Sequence, residues 1–309
     1  MKNPRELKAL LLAGLLFFGP ACFAAEQRIS ETAVLAPVFA EAKRSLAEGK
    51  KPLVVFDIDN VLLCDDLYLG NRAWFRSLYA GYLNALRNSN PALYKTEEAK
   101  LSVLLLKLEE SSAKKLVEPD VPARLRELRA AGIKAMALTG RHAFAMAHTV
   151  SDLKARGVDL SSSTPFPDIK SLTIPGEKEA VGCSGGVCFG ALQDKGRFLL
   201  ALLARGKYKP DVVIFVDDSV WNVNTVGAAL KGAGISYAGF RYSGRDRLLQ
   251  SYETPEIQAA ARVQLKEFAG KGRLLDNEKA QALSKTAPVT FEEELQLVFG
   301  TATVSGVAQ

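Results

Sequence analysis

The chain has 309 residues, 48% of them hydrophobic and 24% charged, and carries a formal net charge of +6. That is enough chain for one large domain, or for a core with an insert, and the balance excludes wholesale disorder. The charge is mild, with no dense Lys/Arg block and no aromatic–basic motif, so nucleic acid is not expected as a partner.

The N-terminus carries the first signal. Lys2, Arg5 and Lys8 precede an apolar stretch at 9–18 that is too short to span a bilayer. Gly19-Pro20 breaks that stretch, and small residues follow at Ala21, Ala24 and Ala25. This predicts a signal peptide over 1–24, cleaved after Ala24 or Ala25, and a secreted or periplasmic protein. An uncleaved anchor is the alternative, and Cys22 leaves lipid attachment open. Cleavage removes Lys2, Arg5, Lys8 and Glu6, a charge of +2, and leaves +4. No later apolar stretch is long enough to cross a membrane. Of the remaining cysteines, Cys183 and Cys188 flank Ser184-Gly185-Gly186-Val187, a turn-rich tetrad that could close a hairpin. In an oxidising compartment they form the natural disulfide pair; two free buried thiols are the alternative. Cys64 is expected to pack as a hydrophobe.

Along the chain, 30–46 reads as a helix and 53–56 as a strand buried on both faces, as in a parallel sheet. Within 73–86, Trp74, Leu78, Tyr82 and Leu86 recur every fourth residue and predict an amphipathic helix. Residues 88–91 form a loop, and Thr96-Glu97-Glu98 is expected to cap a second helix running to 108. Residues 62–118 thus predict a helical insert. Trp74, Tyr79 and Tyr82 either line a pocket from that insert or form its own core, which their spacing favours. A helix over 120–132, a second buried strand over 133–138 and a helix over 143–156 follow. Residues 165–192 read as a strand pair with loops. A helix over 195–204, strands over 212–216 and 235–240, and helices over 255–269 and 291–298 complete the pattern. Residues 301–309 are small and polar and are expected to be disordered. The alternation predicts an α/β fold, a doubly wound parallel sheet with helices on both faces, built from 25–61 and 119–300.

Three of these strands end in polar residues. Asp57 and Asp59 close the first, and side chains two apart in extended chain point the same way. The carboxyl end of a parallel strand is where open α/β sheets place their ligands. Two carboxylates in one pocket call for a cation or a proton between them. Thr139-Gly140-Arg141 closes the second strand and Asp217-Asp218 the third, while Lys195 opens a helix just before it. This oxygen-rich set suits a hard divalent cation, and Mg²⁺ when a phosphate completes its shell. His142 and His148 lack a second ligand cluster, so zinc is not expected.

The ordered set resembles the haloacid dehalogenase superfamily of phosphohydrolases. An apolar strand ending D-x-D (Asp57, Asp59), one ending in Thr139, a helix opening with Lys195 and a strand ending in an acidic pair occur in the family's order, across about 51–242. The departure is Asn60-Val61, where the family often has Gly or Asp followed by Thr. The resemblance implies a Rossmann-like sheet, with the insert as a small helical cap that excludes water. It also implies Mg²⁺-dependent hydrolysis of a small phosphorylated substrate. Asp57 would be the nucleophile, forming an aspartyl-phosphate, and Asp59 the general acid and base, a role that needs a carboxyl with a raised pKa. Thr139, Gly140 and Lys195 would hold phosphate, with Lys207 and Lys209 as competitors for the lysine role. Asp57, Asp217 and the backbone carbonyl of Asp59 would hold the metal, and Asp218 would act through water or orient Lys195. Arg141 either grips a second substrate group or makes a surface ion pair, and Asn222 supports the metal site or caps a helix. The competing expectations are a non-catalytic secreted binding protein on the same scaffold and, less favoured, a dehalogenase. Asp59 argues against the latter, because displacing halide from carbon needs no acid on the leaving group.

Overall fold

The computed structural model describes residues 25–177 and 180–300. The expected signal segment, Cys22, the tail at 301–309 and the side chain of Tyr79 lie outside the described residues.

The architecture is mixed α/β. Its first part runs β1 (Gln27–Thr32), α1 (Ala36–Ala47), β2 (Pro52–Phe56), β3 (Leu63–Cys64), α2 (Arg72–Leu78), a π turn at Tyr79–Leu83, α3 (Asn84–Ser89), α4 (Pro91–Ser111) and β4 (Lys115–Leu116). It continues through α5 (Val121–Ala130), β5 (Lys134–Thr139), α6 (Met146–Ala155), β6 (Ser171–Thr173), β7 (Ala180–Ser184), β8 (Val187–Phe189), α7 (Lys195–Arg205) and β9 (Val212–Asp217). The last part is α8 (Val220–Gly232), β10 (Ser236–Tyr242), α9 (Asp246–Ser251), α10 (Pro255–Lys271), α11 (Asn277–Thr286) and α12 (Phe291–Phe299).

Eight strands form one sheet in the order β1-β10-β9-β2-β5-β8-β7-β6. Pairing is parallel from β1 through β8 and antiparallel at β7 and β6. The apolar run Leu53–Phe56 is buried on both faces because helices lie on both sides. Val54 and Phe56 pack with Phe39 of α1 and Leu128 of α5, while Leu53 and Val55 pack with Phe198 of α7 and Val226 of α8. The alternation of neighbouring side chains between two cores is what a parallel interior strand requires.

Several expectations need correction. Residues 27–32, partly read as helix, form edge strand β1; its polar sequence QRISET buries little, and its register is set by backbone pairing with Tyr237–Tyr242. The sheet is not wholly parallel, since 165–192 supplies three strands and the middle one, β7, runs antiparallel to both of its neighbours. The cap of α4 is Asn90, whose side chain accepts from the Leu93 N–H at 3.1 Å, with Pro91 starting the helix. The Thr96 hydroxyl instead donates to the Ala92 carbonyl within that helix.

In the β7–β8 hairpin, Cys183 faces Cys188 in register and the two are disulfide-bonded. Gly185 and Gly186 turn the chain with φ of 58° and 82°, the left-handed pair that a two-residue hairpin loop needs. A Cβ on Gly186 would meet the Leu160 carbonyl at 2.4 Å. Replacing both cysteines with serine is expected to cost about 2 kcal/mol, because the bond closes a short loop. An unchanged denaturant midpoint in the double variant would sink that expectation.

The insert begins and ends at a two-stranded antiparallel ribbon, β3 with β4. Its helices do not close on themselves. Trp74, Leu78, Tyr82 and Leu101 share one apolar cluster with Leu249, Tyr252, Leu265, Phe268 and Phe299. Polar contacts tie the two segments further. The buried Trp74 Nε1 donates to Glu294 Oε1 at 2.6 Å, and the Leu69 N–H donates to Gln264 Oε1 at 2.8 Å. Burial pushes the Glu294 carboxyl up to about 7, against the Trp74 bond and the nearby Arg262. Helices α9–α12 thus build a helical body with the insert. No described helix is long and apolar enough to cross a membrane.

Candidate active site

Strands β9, β2 and β5 are neighbours, so their carboxyl ends open on one place. The Asp57 N–H donates to the Val216 carbonyl at 2.9 Å, which extends the β2–β9 ladder by one rung and fixes the Asp57 side chain beside Asp217. Lys195 starts α7, whose N-cap is Asp194. Its Nζ donates to Asp57 Oδ1 and to Asp217 Oδ2, at 2.7 Å each, and all three residues are buried. Burial works against the ammonium, yet Asp217 and Asp57 hold Lys195 above the usual lysine range. Burial and the charges of Asp217, Asp218 and Asp59 push the Asp57 carboxyl well up, and Lys195 opposes them.

The two acids closing β9 differ in their surroundings. Asp217 is fully buried; its oxygens accept from the Ser219 N–H at 2.8 Å, from Asn222 Nδ2 at 3.0 and 3.1 Å, and from Lys195. Asp218 faces the cavity and meets Asn60 Nδ2 at 3.2 Å and Arg72 Nη1 at 3.4 Å. Burial and Asp217 push the Asp218 carboxyl up to about 6. Asn60 reaches it from a left-handed turn at φ 62°, a conformation Asn tolerates better than most residues. One carboxylate oxygen each from Asp57, Asp217 and Asp218 lies within 4.8 Å of the others. The set is all oxygen and net negative, which fits a hard divalent cation. With Asp217 so fully bonded, Asp218 is the more open of the two as a side-chain ligand, the reverse of the order expected from sequence.

Asp59 departs most from expectation. Arg141, itself buried, grips it with a fork: Nε donates to Oδ2 at 3.0 Å and Nη2 to Oδ1 at 2.6 Å. Arg141 also donates to Thr149 Oγ1 at 2.9 Å and lies 3.1 Å from Glu109 Oε2. Burial disfavours charge on Asp59, but the guanidinium overrides it and holds that carboxyl at about 2. The raised carboxyls of the cavity sit at Asp57, Asp218 and Glu109 instead, burial being the first cause in each. Arg141 is thus neither an exposed ion pair nor an open substrate contact. Thr139 is fully buried behind the cavity wall, and its hydroxyl accepts the Arg141 N–H at 3.2 Å. Gly140, Arg141 and Asn222 do line the cavity.

The cavity measures about 380 Å³ and lies between the sheet's carboxyl edge and the helical body. Trp74 and Tyr82 belong to the helical cluster and not to its wall; Phe75, Leu101 and Leu105 line it instead. Arg72 and Glu109, which reach the site from the insert, carry no signal in sequence, because nothing local ties them to strand ends far along the chain. The two histidines stand apart from the acidic trio: His142 Nε2 meets Ser102 Oγ at 3.4 Å and His148 Nε2 meets the Glu109 carbonyl at 3.0 Å. Cys64 is buried and unbridged in β3.

Two relatives match over most of the chain. A protein of Chlamydia trachomatis serovar D named "Putative outer membrane protein" is 25% identical over 234 residues, 75% of this chain and 82% of its own length. A protein of the same name from Chlamydia muridarum is 24% identical over 273 residues, 88% of this chain and 96% of its own. No solved structure matches the chain. Residues 34–281 match the family described as "Protein of unknown function (DUF2608)", and the chain belongs to that family.

Proposed function

We propose that this protein is a Mg²⁺-dependent phosphomonoester hydrolase of the haloacid dehalogenase type, with a doubly wound core and the helical body as its cap. The observation that carries the reading is the convergence of Asp57, Asp217 and Asp218 from two adjacent strand ends with Lys195 from the start of α7. A single buried acid needs no such company; a nucleophilic carboxylate facing an anionic phosphate does.

Asp57, Asp217 and Asp218 would hold the cation, which when bound supplies charge neutralisation to the phosphate. Asp57 supplies the attacking oxygen: a new bond forms between it and phosphorus, and the bond to the leaving oxygen breaks. Lys195 opposes the protonation of Asp57 that burial favours, and offsets charge on the transferring group. Asp59, held ionised by Arg141, is placed to take a proton from the water that then releases phosphate. Donating a proton to the leaving oxygen first requires the Arg141 fork to open and Asp59 to take up a proton from solvent water.

Purified protein given Mg²⁺ and an aryl phosphate is expected to release inorganic phosphate; no release at any pH between 5 and 9 would end the reading. A binding protein on the same scaffold is the second reading, favoured by one observation, the engagement of Asp59 by Arg141. Action in the cell envelope is part of the proposal, supported by the relatives' names, by the bond between Cys183 and Cys188 and by the N-terminal sequence.

The cation also makes a prediction free of turnover. Mg²⁺ at about a hundredfold over its dissociation constant should raise the melting temperature by about 5–10 °C. Asp218→Asn should abolish most of that shift. An equal shift in the variant would remove Asp218 from the ligand set.

A further inference from the structure

Resting on the phosphohydrolase reading, we propose that the substrate is a phosphomonoester with an apolar leaving group, an alkyl or aryl group of limited size, and not a sugar phosphate or nucleotide. The cavity has two unlike ends. One holds the charged groups of the strand ends. The other is walled by Phe75 of α2 and by Leu101, Leu105 and Leu108 of α4, spaced so as to share one helix face. Phe144 and Leu192 line the cavity yet are 51% and 63% exposed, which places them at its mouth.

Leu192 is held there against its backbone preference. Its φ is 62°, and that of Ala191 is 47°. A left-handed leucine costs roughly 1–2 kcal/mol. Bonds from Leu192 N to the Gly140 carbonyl at 2.9 Å and from Ala191 N to the Arg141 carbonyl at 3.1 Å keep the segment strapped to the site. Strain of this kind collects at ligand clamps.

Of the polar groups that α4 lends the cavity, Glu109 has a carboxylate oxygen with no hydrogen-bond partner, 3.1 Å from Arg141, while Glu98 and Ser102, beside the leucines, are engaged. Glu98 Oε1 accepts from the Tyr94 hydroxyl at 2.6 Å, while the Ser102 hydroxyl donates to the Glu98 carbonyl at 2.8 Å and meets His142 at 3.4 Å. A sugar buried against such a wall would leave hydroxyls unpaired, which is costly. An alkyl or aryl group loses nothing there and gains by leaving water. In the reaction the bond between phosphorus and the ester oxygen breaks, the leaving alcohol takes up a proton, and water supplies the oxygen that completes inorganic phosphate.

The test is a series of methyl, butyl and octyl phosphates, with glucose 6-phosphate and vesicles of phosphatidate, assayed with Mg²⁺ and the whole protein. We expect kcat/KM to rise about two- to fourfold per methylene until the cavity is full. Glucose 6-phosphate should fall at least about tenfold below butyl phosphate. Leu105→Ser should flatten the dependence on chain length, and Leu105→Met should preserve it. A flat series, or a preference for the sugar ester, overturns the inference and leaves the phosphatase reading standing. Phosphatidate turned over faster than octyl phosphate would overturn a free ester as substrate. Calorimetry with octylphosphonate and methylphosphonate gives a readout independent of turnover, with the longer chain expected to bind at least about tenfold tighter. That preference without hydrolysis of any ester would keep the ligand class and discard the phosphatase reading; its absence without hydrolysis discards both.

Discussion

Asp57→Asn is expected to lower phosphate release by about 10⁴-fold or more while leaving the protein folded. The substitution keeps the shape of the side chain and removes the negative charge that the proposed attack on phosphorus needs. The Lys195 ammonium keeps one partner, Asp217, at 2.7 Å. The variant also removes a disfavoured charge, since burial first, and then the charges of Asp217, Asp218 and Asp59, push the Asp57 carboxyl up. Its melting temperature without metal should therefore match or exceed that of the parent. A variant that retains a tenth of parental turnover would remove Asp57 as nucleophile, and one that unfolds would show that the site's charge balance is structural.

Lys195→Met should act in the opposite way, on stability first. It leaves two buried carboxylates with no cation between them, a loss of about 3–5 kcal/mol. The sign of its pH dependence follows from the two shifts. The folded pKa of Lys195 lies above that of a free lysine, so the stability it contributes is complete below the free value and fades only in strong alkali. The folded pKa of Asp57 lies above that of a free aspartate, so protonation favours the folded chain. The deficit of the methionine variant should accordingly be largest near neutrality and shrink as the pH falls towards the carboxylate range. Millimolar Mg²⁺ should recover part of it, because the cation takes the place of the ammonium between the acids. A denaturant midpoint that does not move with pH would refute this account of Lys195.

The interior of the sheet was legible in the sequence because β2, β5 and β9 are apolar on both faces and end abruptly in charge. The positions of Asp57 and Asp217 follow from those ends alone, while Lys195, at the start of α7, was picked out by the resemblance. The edge strand β1 was not legible, since polar residues bound by backbone pairing leave no periodic trace. Nor was the state of Asp59. Spacing places it beside Asp57, but its ionisation is set by Arg141 arriving from the next strand, and no local pattern predicts a fork closing across two strand ends. The helical body was half legible: the insert's periodicity is plain, yet which surface completes it depends on contacts between segments about 150 residues or more apart in number, such as Trp74 with Glu294.

That two-part construction has a mechanical consequence. The helical body is tethered to the sheet by three crossings of the chain, on entering the insert near 57–72, on leaving it near 112–120, and again between β10 and α9 at 242–246. A body held at two neighbouring crossings swings like a door. The third crossing, reinforced where Arg245 Nη1 meets Asp66 Oδ1 at 3.0 Å, subtracts rotational freedom and leaves rocking about a fixed edge. Three tethers rather than two therefore limit how far the body can lift from the sheet's carboxyl edge, where the cavity lies.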